Sequence, residues 1–221
     1  MIKMKKERAF IFDLDGVIVD TAKYHFLAWR NLANALGFDF TEEQNELLKG
    51  VSRVRSLEIL LEIGKVELLE EEKQTFLVQK NTEYLSFVDK MTSNEILPGI
   101  NELLDYLDTQ NISYALGSAS KNAPLILEKV GLYNRFTAIV DGNDVSKAKP
   151  DPEVFLIGAE KLNMKPEDCI VVEDAIAGVE AANAANMLSI GIGDAELLHE
   201  AGYVLSDTTG FTTDFLQKIL N

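Results

Sequence analysis

From residue 95 onward, short β-branched runs that end in polar residues alternate with segments of helical period, and this alternation constrains the fold more than any other feature of the chain. Strands separated in this way by helices assemble as βαβ units, which gives a parallel sheet covered by helices. Strands are predicted at Ala9–Asp13, Ser113–Ser118, Ala138–Val140, Cys169–Glu173, Leu188–Ile192 and Tyr203–Leu205. Helices are predicted at Ile100–Gln110 and Ala123–Val130, the latter stopped by Gly131. Ligands of such sheets bind outside the carboxyl ends of the strands, so the polar residues that follow each run are the ones to inspect for chemistry.

Residues 17–93 break the rhythm, with helical periodicity, no proline and no convincing strand. Ala22, Phe26, Trp29, Leu32, Ala33 and Leu36 recur at helical spacing before Gly37, while Glu70-Glu71-Glu72 suits a solvated helix face. The expected fold class is therefore α/β: a Rossmann-like parallel sheet flanked by helices, with a small all-helical cap domain inserted after the first strand. Residues 1–16 and 94–221 would form the core and residues 17–93 a lid over its carboxyl edge, suited to substrate selection. At 221 residues the chain can bury about 70% of its unfolded surface, enough for one large core and a smaller second one.

Charge narrows the partners. With 36 acidic residues against 21 Lys and Arg, the formal charge of −15 repels a nucleic-acid backbone or an anionic membrane, so neither is expected. No run of eighteen apolar residues occurs, and Met1–Arg8 reads as a basic stub leading into a strand rather than as a signal or anchor. The single cysteine, Cys169, opens an apolar run and is expected to be a buried thiol; without a second cysteine no disulfide forms within the chain, which suits a reducing cytoplasm.

Four strand-end elements carry the chemistry. Asp13-Leu14-Asp15-Gly16 follows the first apolar run and Glu173-Asp174 ends the run Cys169–Val172. Close carboxylates raise one another's pKa unless a cation or a shared proton intervenes, and a hard cation such as Mg²⁺ takes oxygen ligands from such a set. Ser118-Ala119-Ser120-Lys121-Asn122 opens a helix, where hydroxyls and free N–H groups receive an anion. Lys149 stands ahead of Pro150 and Pro152, which suit a helix's first turn, and a lysine is a good point charge for phosphate. A turn with an acidic cap would explain the first pair equally well on spacing alone.

In this order and context the four elements resemble the haloacid dehalogenase superfamily of aspartate-based phosphotransferases, over nearly the whole chain from Ala9. Within it the run Asp13–Ala22 with His25 and Trp29, the segment Leu48–Arg53 and the run Gly117–Asn122 are most similar to its sugar-phosphate mutases. The resemblance implies Asp13 as nucleophile and Asp15 as general acid and base. It implies Mg²⁺ held by Asp13, Asp174 and the Asp15 backbone carbonyl, with Glu173 close by. Ser118, the Ala119 N–H and Lys149 would hold the transferring phosphoryl group. Thr21 and His25, four apart on one helix with Trp29 four further on, would orient Asp15. A capping hydroxyl and a half-buried histidine would show the same spacing. Lys49 and Arg53, also four apart, with Gly50, Val51 and Ser52 between them, would face the cleft, and Arg53 with Ser120, Lys121 and Asn122 would grip a distal phosphate; Lys80 is a further lid candidate.

The implied reaction interconverts β-D-glucose 1-phosphate and glucose 6-phosphate through an aspartyl phosphate, with glucose 1,6-bisphosphate as intermediate and priming donor. The implied partners are small sugar phosphates, and the chain is expected to act as a monomer. A phosphatase, in which water accepts the phosphoryl group, and a non-catalytic sugar-phosphate sensor share this core; His25 and the Lys49–Arg53 segment favour the mutase. Ala175 departs from the serine common after the Glu-Asp pair.

Overall fold

A computed structural model describes residues 7–220; the stub Met1–Lys6 and the terminal Asn221 lie outside the described residues. Six strands form one wholly parallel sheet: β1 (Ala9–Phe12), β2 (Tyr114–Gly117), β3 (Ala138–Val140), β4 (Cys169–Glu173), β5 (Leu188–Ile192) and β6 (Tyr203–Leu205). Their order is β3-β2-β1-β4-β5-β6, so the chain winds outward from β1 in one direction and then, after β3, in the other. The reversal leaves a crevice between the carboxyl ends of β1 and β4, the place where doubly wound sheets bind ligands.

The alternation of side chains along each strand divides the core in two. Phe10, Phe12, Tyr114, Leu116, Ile170 and Val172 face α5 (Ile100–Thr109), α6 (Ala123–Val130) and α9 (Thr213–Leu220). Ala9, Ile11, Ala115, Cys169 and Val171 face α7 (Glu153–Lys161) and α8 (Ile176–Ala184). Cys169 is buried and unpaired, as expected of a small apolar thiol. β1 stops at Phe12, one residue earlier than predicted, because Leu14 already accepts the N–H groups of Ile18 and Val19 in a turn. β2 is likewise shorter by a residue at each end, and Pro152 precedes α7 as its cap rather than entering its first turn.

The helical insertion comprises α1 (Ala22–Ala35), α2 (Glu42–Asn45), α3 (Arg53–Gly64) and α4 (Glu70–Val88). It has its own core, in which Trp29, Leu32, Phe40, Leu57, Leu60 and Leu77 meet. Two caps start its helices: the Thr41 hydroxyl accepts from Gln44 N while Gln44 Oε1 accepts from Thr41 N, and Ser52 Oγ accepts from Arg55 N. The outgoing and returning strands of chain run side by side, with Asp20 N donating to Glu95 O at 2.9 Å and Leu97 N to Ile18 O at 3.0 Å. This narrow two-segment neck sets the insertion over the crevice between β1 and β4. Among the described residues no helix is long and apolar enough to cross a membrane.

Candidate active site

The carboxyl ends of β1 and β4 deliver Asp13 and Glu173 into the buried floor of the crevice. The Lys149 ammonium bridges them, donating to Asp13 Oδ1 at 2.6 Å and to Glu173 Oε2 at 2.8 Å. Burial works against the charge of that ammonium, but the charges of Asp13 and Glu173 outweigh it and hold Lys149 above its ordinary value. Asp13 Oδ2 accepts from Asp15 N at 3.0 Å, and Glu173 Oε1 from Ala175 N at 3.3 Å. One carboxylate oxygen from each of Asp13, Glu173 and Asp174 lies within 4.8 Å of the others. Burial, followed by the charge of Asp13, pushes Glu173 and Asp174 above the usual carboxylate range. Three hard oxygen donors with more negative charge than one lysine offsets fit a small divalent cation such as Mg²⁺.

Asp15 turns away from that cluster. The chain bends at Gly16, where φ is +79°, and the Asp15 carboxylate accepts a hydrogen bond from the Thr21 hydroxyl at the start of α1. Burial first, and the charge of Asp13 second, raise Asp15 from 3.8 to about 6, a value suited to a group that must gain and lose a proton near neutrality. On α1, His25 Nε2 sits 3.9 Å from Asp15 Oδ2, and on the far side of the ring Nδ1 meets Lys80 Nζ at 2.8 Å. With Lys80 as an ammonium, which only donates, Nδ1 is the acceptor and the imidazole proton sits on Nε2, the nitrogen nearer Asp15. Burial, then the charges of Lys80 and Arg53, depress His25 well below its ordinary value and keep it neutral. Lys80 is 2% exposed, lies 4.6 Å from the Trp29 ring, and is lowered by burial to about 7.

Core and insertion together enclose a cavity of about 440 Å³. Ser118 and the Ser118–Asn122 turn form its core side, where Ser118 Oγ accepts from Ser120 N at 3.1 Å and Asn122 Nδ2 bonds Asn81 Oδ1 on α4 at 3.0 Å. The opposite wall presents Lys49, Gly50, Val51 and Arg53. Lys49 and Arg53 do not share a helix face: Lys49 ends a 3₁₀ turn, Gly50 has φ +71°, Ser52 caps, and only then does α3 begin with Arg53. They reach the cavity from a loop and a helix start respectively. Lys49 Nζ pairs with Glu46 at 2.8 Å and approaches Asp174 Oδ2 at 3.7 Å. Among the described residues no carboxylate lies within ion-pairing distance of Arg53, which leaves a cation aimed at the cavity. Ser52 lines the cavity but gives its oxygen to the α3 cap, and Trp29, 2% exposed, is part of the insertion's core with an edge at the cavity. The sequence reading missed Asn81 and Tyr84, which follow Lys80 on the inward face of α4; Leu77, Lys80, Tyr84 and Val88 fall at helical spacing, so a lysine in an otherwise apolar stripe is the available signal.

A carboxylate pair at the end of β1, a second pair at the end of β4 and a bridging lysine, set under a helical cap at the switch point of a doubly wound sheet, define an α/β enzyme that handles phosphoryl groups with aspartate. The chain belongs to the haloacid dehalogenase-like hydrolases, whose family model matches residues 10–192. It is 42% identical over 213 residues to β-phosphoglucomutase of Bacillus subtilis, covering 96% of this chain and 94% of that one. The crystal structure of β-phosphoglucomutase from Clostridium difficile superposes with a TM-score of 0.92 at 46% identity, covering 97% of both chains. A phosphatase of phosphorylated carbohydrates from Thermotoga maritima is 33% identical over 204 residues, covering 89% and 92%.

Proposed function

We propose that the protein is a β-phosphoglucomutase that interconverts β-D-glucose 1-phosphate and glucose 6-phosphate. What supports this reading is a single cavity lined both by Asp13, Ser118 and Lys149 and by Ser120–Asn122 with Arg53, a cation that no carboxylate among the described residues pairs with; we assign the first group to the transferring phosphate and the second to a distal one. A phosphatase needs only the first group; a mutase must hold one phosphate while it transfers another.

In this reading phospho-Asp13 is the resting donor, primed by glucose 1,6-bisphosphate. The free sugar hydroxyl attacks phosphorus, its proton passes to the Asp15 carboxylate, and the Asp13–phosphorus bond breaks to restore the Asp13 carboxylate. The bisphosphate turns end over end; Asp13 attacks its other phosphate while Asp15 returns the proton to the departing sugar oxygen. Lys149 and the Ala119 N–H hold phosphoryl oxygens, and Thr21 with neutral His25 aims Asp15. In this reading the cap is residues 17–93 and the core residues 1–16 and 94–221, and His25 Nε2 stands 3.9 Å from Asp15 Oδ2. Asp13, Asp174 and the Asp15 carbonyl, with Glu173 close by, would hold Mg²⁺. When bound, the ion supplies positive charge that lets an anionic nucleophile approach an anionic phosphoryl group. The enzyme acts as a cytoplasmic monomer on free sugar phosphates.

A sugar-phosphate phosphatase is the second reading, favoured by the likeness to the Thermotoga maritima enzyme. A ³¹P NMR time course with Mg²⁺, β-glucose 1-phosphate and a trace of glucose 1,6-bisphosphate separates the two. Growth of glucose 6-phosphate with inorganic phosphate at baseline is the expected result. Growth of inorganic phosphate instead makes water the acceptor and overturns the mutase reading.

A further inference from the structure

Asn122 ends the Ser118–Asn122 turn and stands as the N-cap of α6, a position where an asparagine side chain ordinarily accepts from the second or third N–H of the helix. Here it makes no such bond, and Pro124 has removed the second of those N–H groups. The side chain turns instead to α4 of the helical insertion, where Asn122 Nδ2 donates to Asn81 Oδ1 at 3.0 Å. The partners are 41 residues apart in the chain, both are half-buried and both line the cavity. The turn does not need this bond for its shape, because Ser120 N donates to Ser118 Oγ at 3.1 Å and Asn122 N to Ser120 Oγ at 3.3 Å. What the bond fixes is the carboxamide. A primary amide carries two N–H groups at one end and an acceptor oxygen at the other, so an amide free to rotate offers an anion its oxygen as readily as its nitrogen. Asn81 Oδ1 engages one N–H of Asn122 and so sets which end lies on the α4 side; among the described residues the second N–H has no partner. Ser120, Lys121 and Arg53 line the same cavity.

We propose that Asn81 is a positioning residue for the distal phosphate: its Oδ1 holds the Asn122 amide with the nitrogen end turned to the anion, leaving the second N–H to donate to a phosphate oxygen. Lys121 and Arg53 supply charge to that phosphate, and the Asn81–Asn122 pair supplies direction. Because one partner stands on the insertion and the other on the turn after β2, this donor is in place only while the two are together. The inference rests on, and deepens, the reading that Ser120–Asn122 and Arg53 receive the phosphate that is not being transferred.

The test is Asn81→Leu, which removes the acceptor and keeps a side chain of similar size. For β-glucose 1-phosphate, kcat/KM is expected to fall about fivefold, the effect of one neutral hydrogen bond, with the whole change in KM because the interaction is held in ground state and transition state alike. Phosphorylation of Asp13 by acetyl phosphate, which has no second phosphate to place, is expected to keep its rate. On an Asn122→Ala background the substitution should add nothing. An unchanged KM overturns the proposal. So does an equal loss with acetyl phosphate, which would point to the fold or to Asp13, and so does a fall in kcat with KM constant, which would place Asn81 on the chemical step. Additivity with Asn122→Ala would show that Asn81 does not act through Asn122. A binding measurement separates this inference from the mutase reading: in an Asp13→Asn background, which cannot form the phospho-enzyme, calorimetric affinity for glucose 1,6-bisphosphate with Mg²⁺ should fall about fivefold on adding Asn81→Leu. If the wild-type protein releases inorganic phosphate from sugar phosphates, the mutase reading fails, and this comparison, which needs no turnover, still decides the role of Asn81; an unaltered affinity refutes it.

Discussion

Lys149→Met removes the one cation that bonds both Asp13 and Glu173 while keeping a side chain of similar length and volume, so any loss is electrostatic rather than a cavity. Removing one partner of a buried ion pair costs about 3–5 kcal/mol, because the charge left behind has been taken out of water. Here each carboxylate keeps one backbone donor, Asp15 N for Asp13 and Ala175 N for Glu173. Glu173, already raised by burial, can also take up a proton. Both effects place the loss near the lower bound, about 3 kcal/mol, and for a chain of this size that lowers Tm by about 6–12 °C. The assay is calorimetry in EDTA at about pH 7.5, repeated near pH 5. In the variant the orphaned carboxylates bind protons more tightly folded than unfolded, so their penalty is absent at low pH and grows as pH rises; the Tm gap should narrow near pH 5. Added Mg²⁺ should raise the Tm of the variant more than that of the parent, since it returns positive charge to the same carboxylates. A Tm change under about 2 °C at neutral pH would refute the account of Lys149 as the buried counter-charge.

Three further expectations follow from the same geometry. Asp15, raised from 3.8 to about 6, lends stability below about pH 4 that is lost as pH rises through 6; Asp15→Asn should therefore be more stable than the parent at about pH 7.5, by at most about 3 kcal/mol, and equal to it near pH 4. Its turnover should fall by about 10²–10⁴, and equal stability at both pH values in urea titrations would remove the buried-charge argument. Gly16→Ala forces a Cβ onto a residue with φ +79° and to 2.2 Å from Asp174 Oδ2, so the carboxylate must move; calorimetric titration should show Mg²⁺ affinity reduced at least about tenfold, and unaltered affinity would contradict the cluster. Lys80→Met relieves the second largest influence depressing His25, so the imidazole should titrate closer to 6.5 in NMR spectra; a stationary titration would separate Lys80 from His25.

How far the sequence discloses this arrangement depends on the range of the contacts involved. The strands are legible because a strand buried on both faces must be apolar almost throughout, and Phe10–Phe12 and Ile170–Val172 are; the acidic pairs that follow them then fall at the β1–β4 crevice by topology alone. Thr21, His25 and Trp29 are legible because a helix period relates them. Lys49 and Arg53 show the limit of that reasoning. A spacing of four implies a shared face only where the backbone is helical, and the left-handed Gly50 and the Ser52 cap break it between them. Lys80 lies further still from local logic. Nothing near it in sequence explains a lysine at 2% exposure; its partners His25 and Trp29 lie 55 and 51 residues earlier, on a helix that packs against α4 only in the folded cap. Tyr84 is illegible for the same reason, since its ring reads as core and only the folded structure shows it 4.1 Å from the His25 ring at the wall of the cavity. The acidic pairs, Thr21 and His25 can thus be found along the chain, whereas the contacts of Lys80 with His25 and Trp29 become visible only when α1 and α4 are set side by side. Substitutions on α4 should accordingly alter turnover without disturbing the metal cluster, and substitutions at the ends of β1 and β4 should alter both.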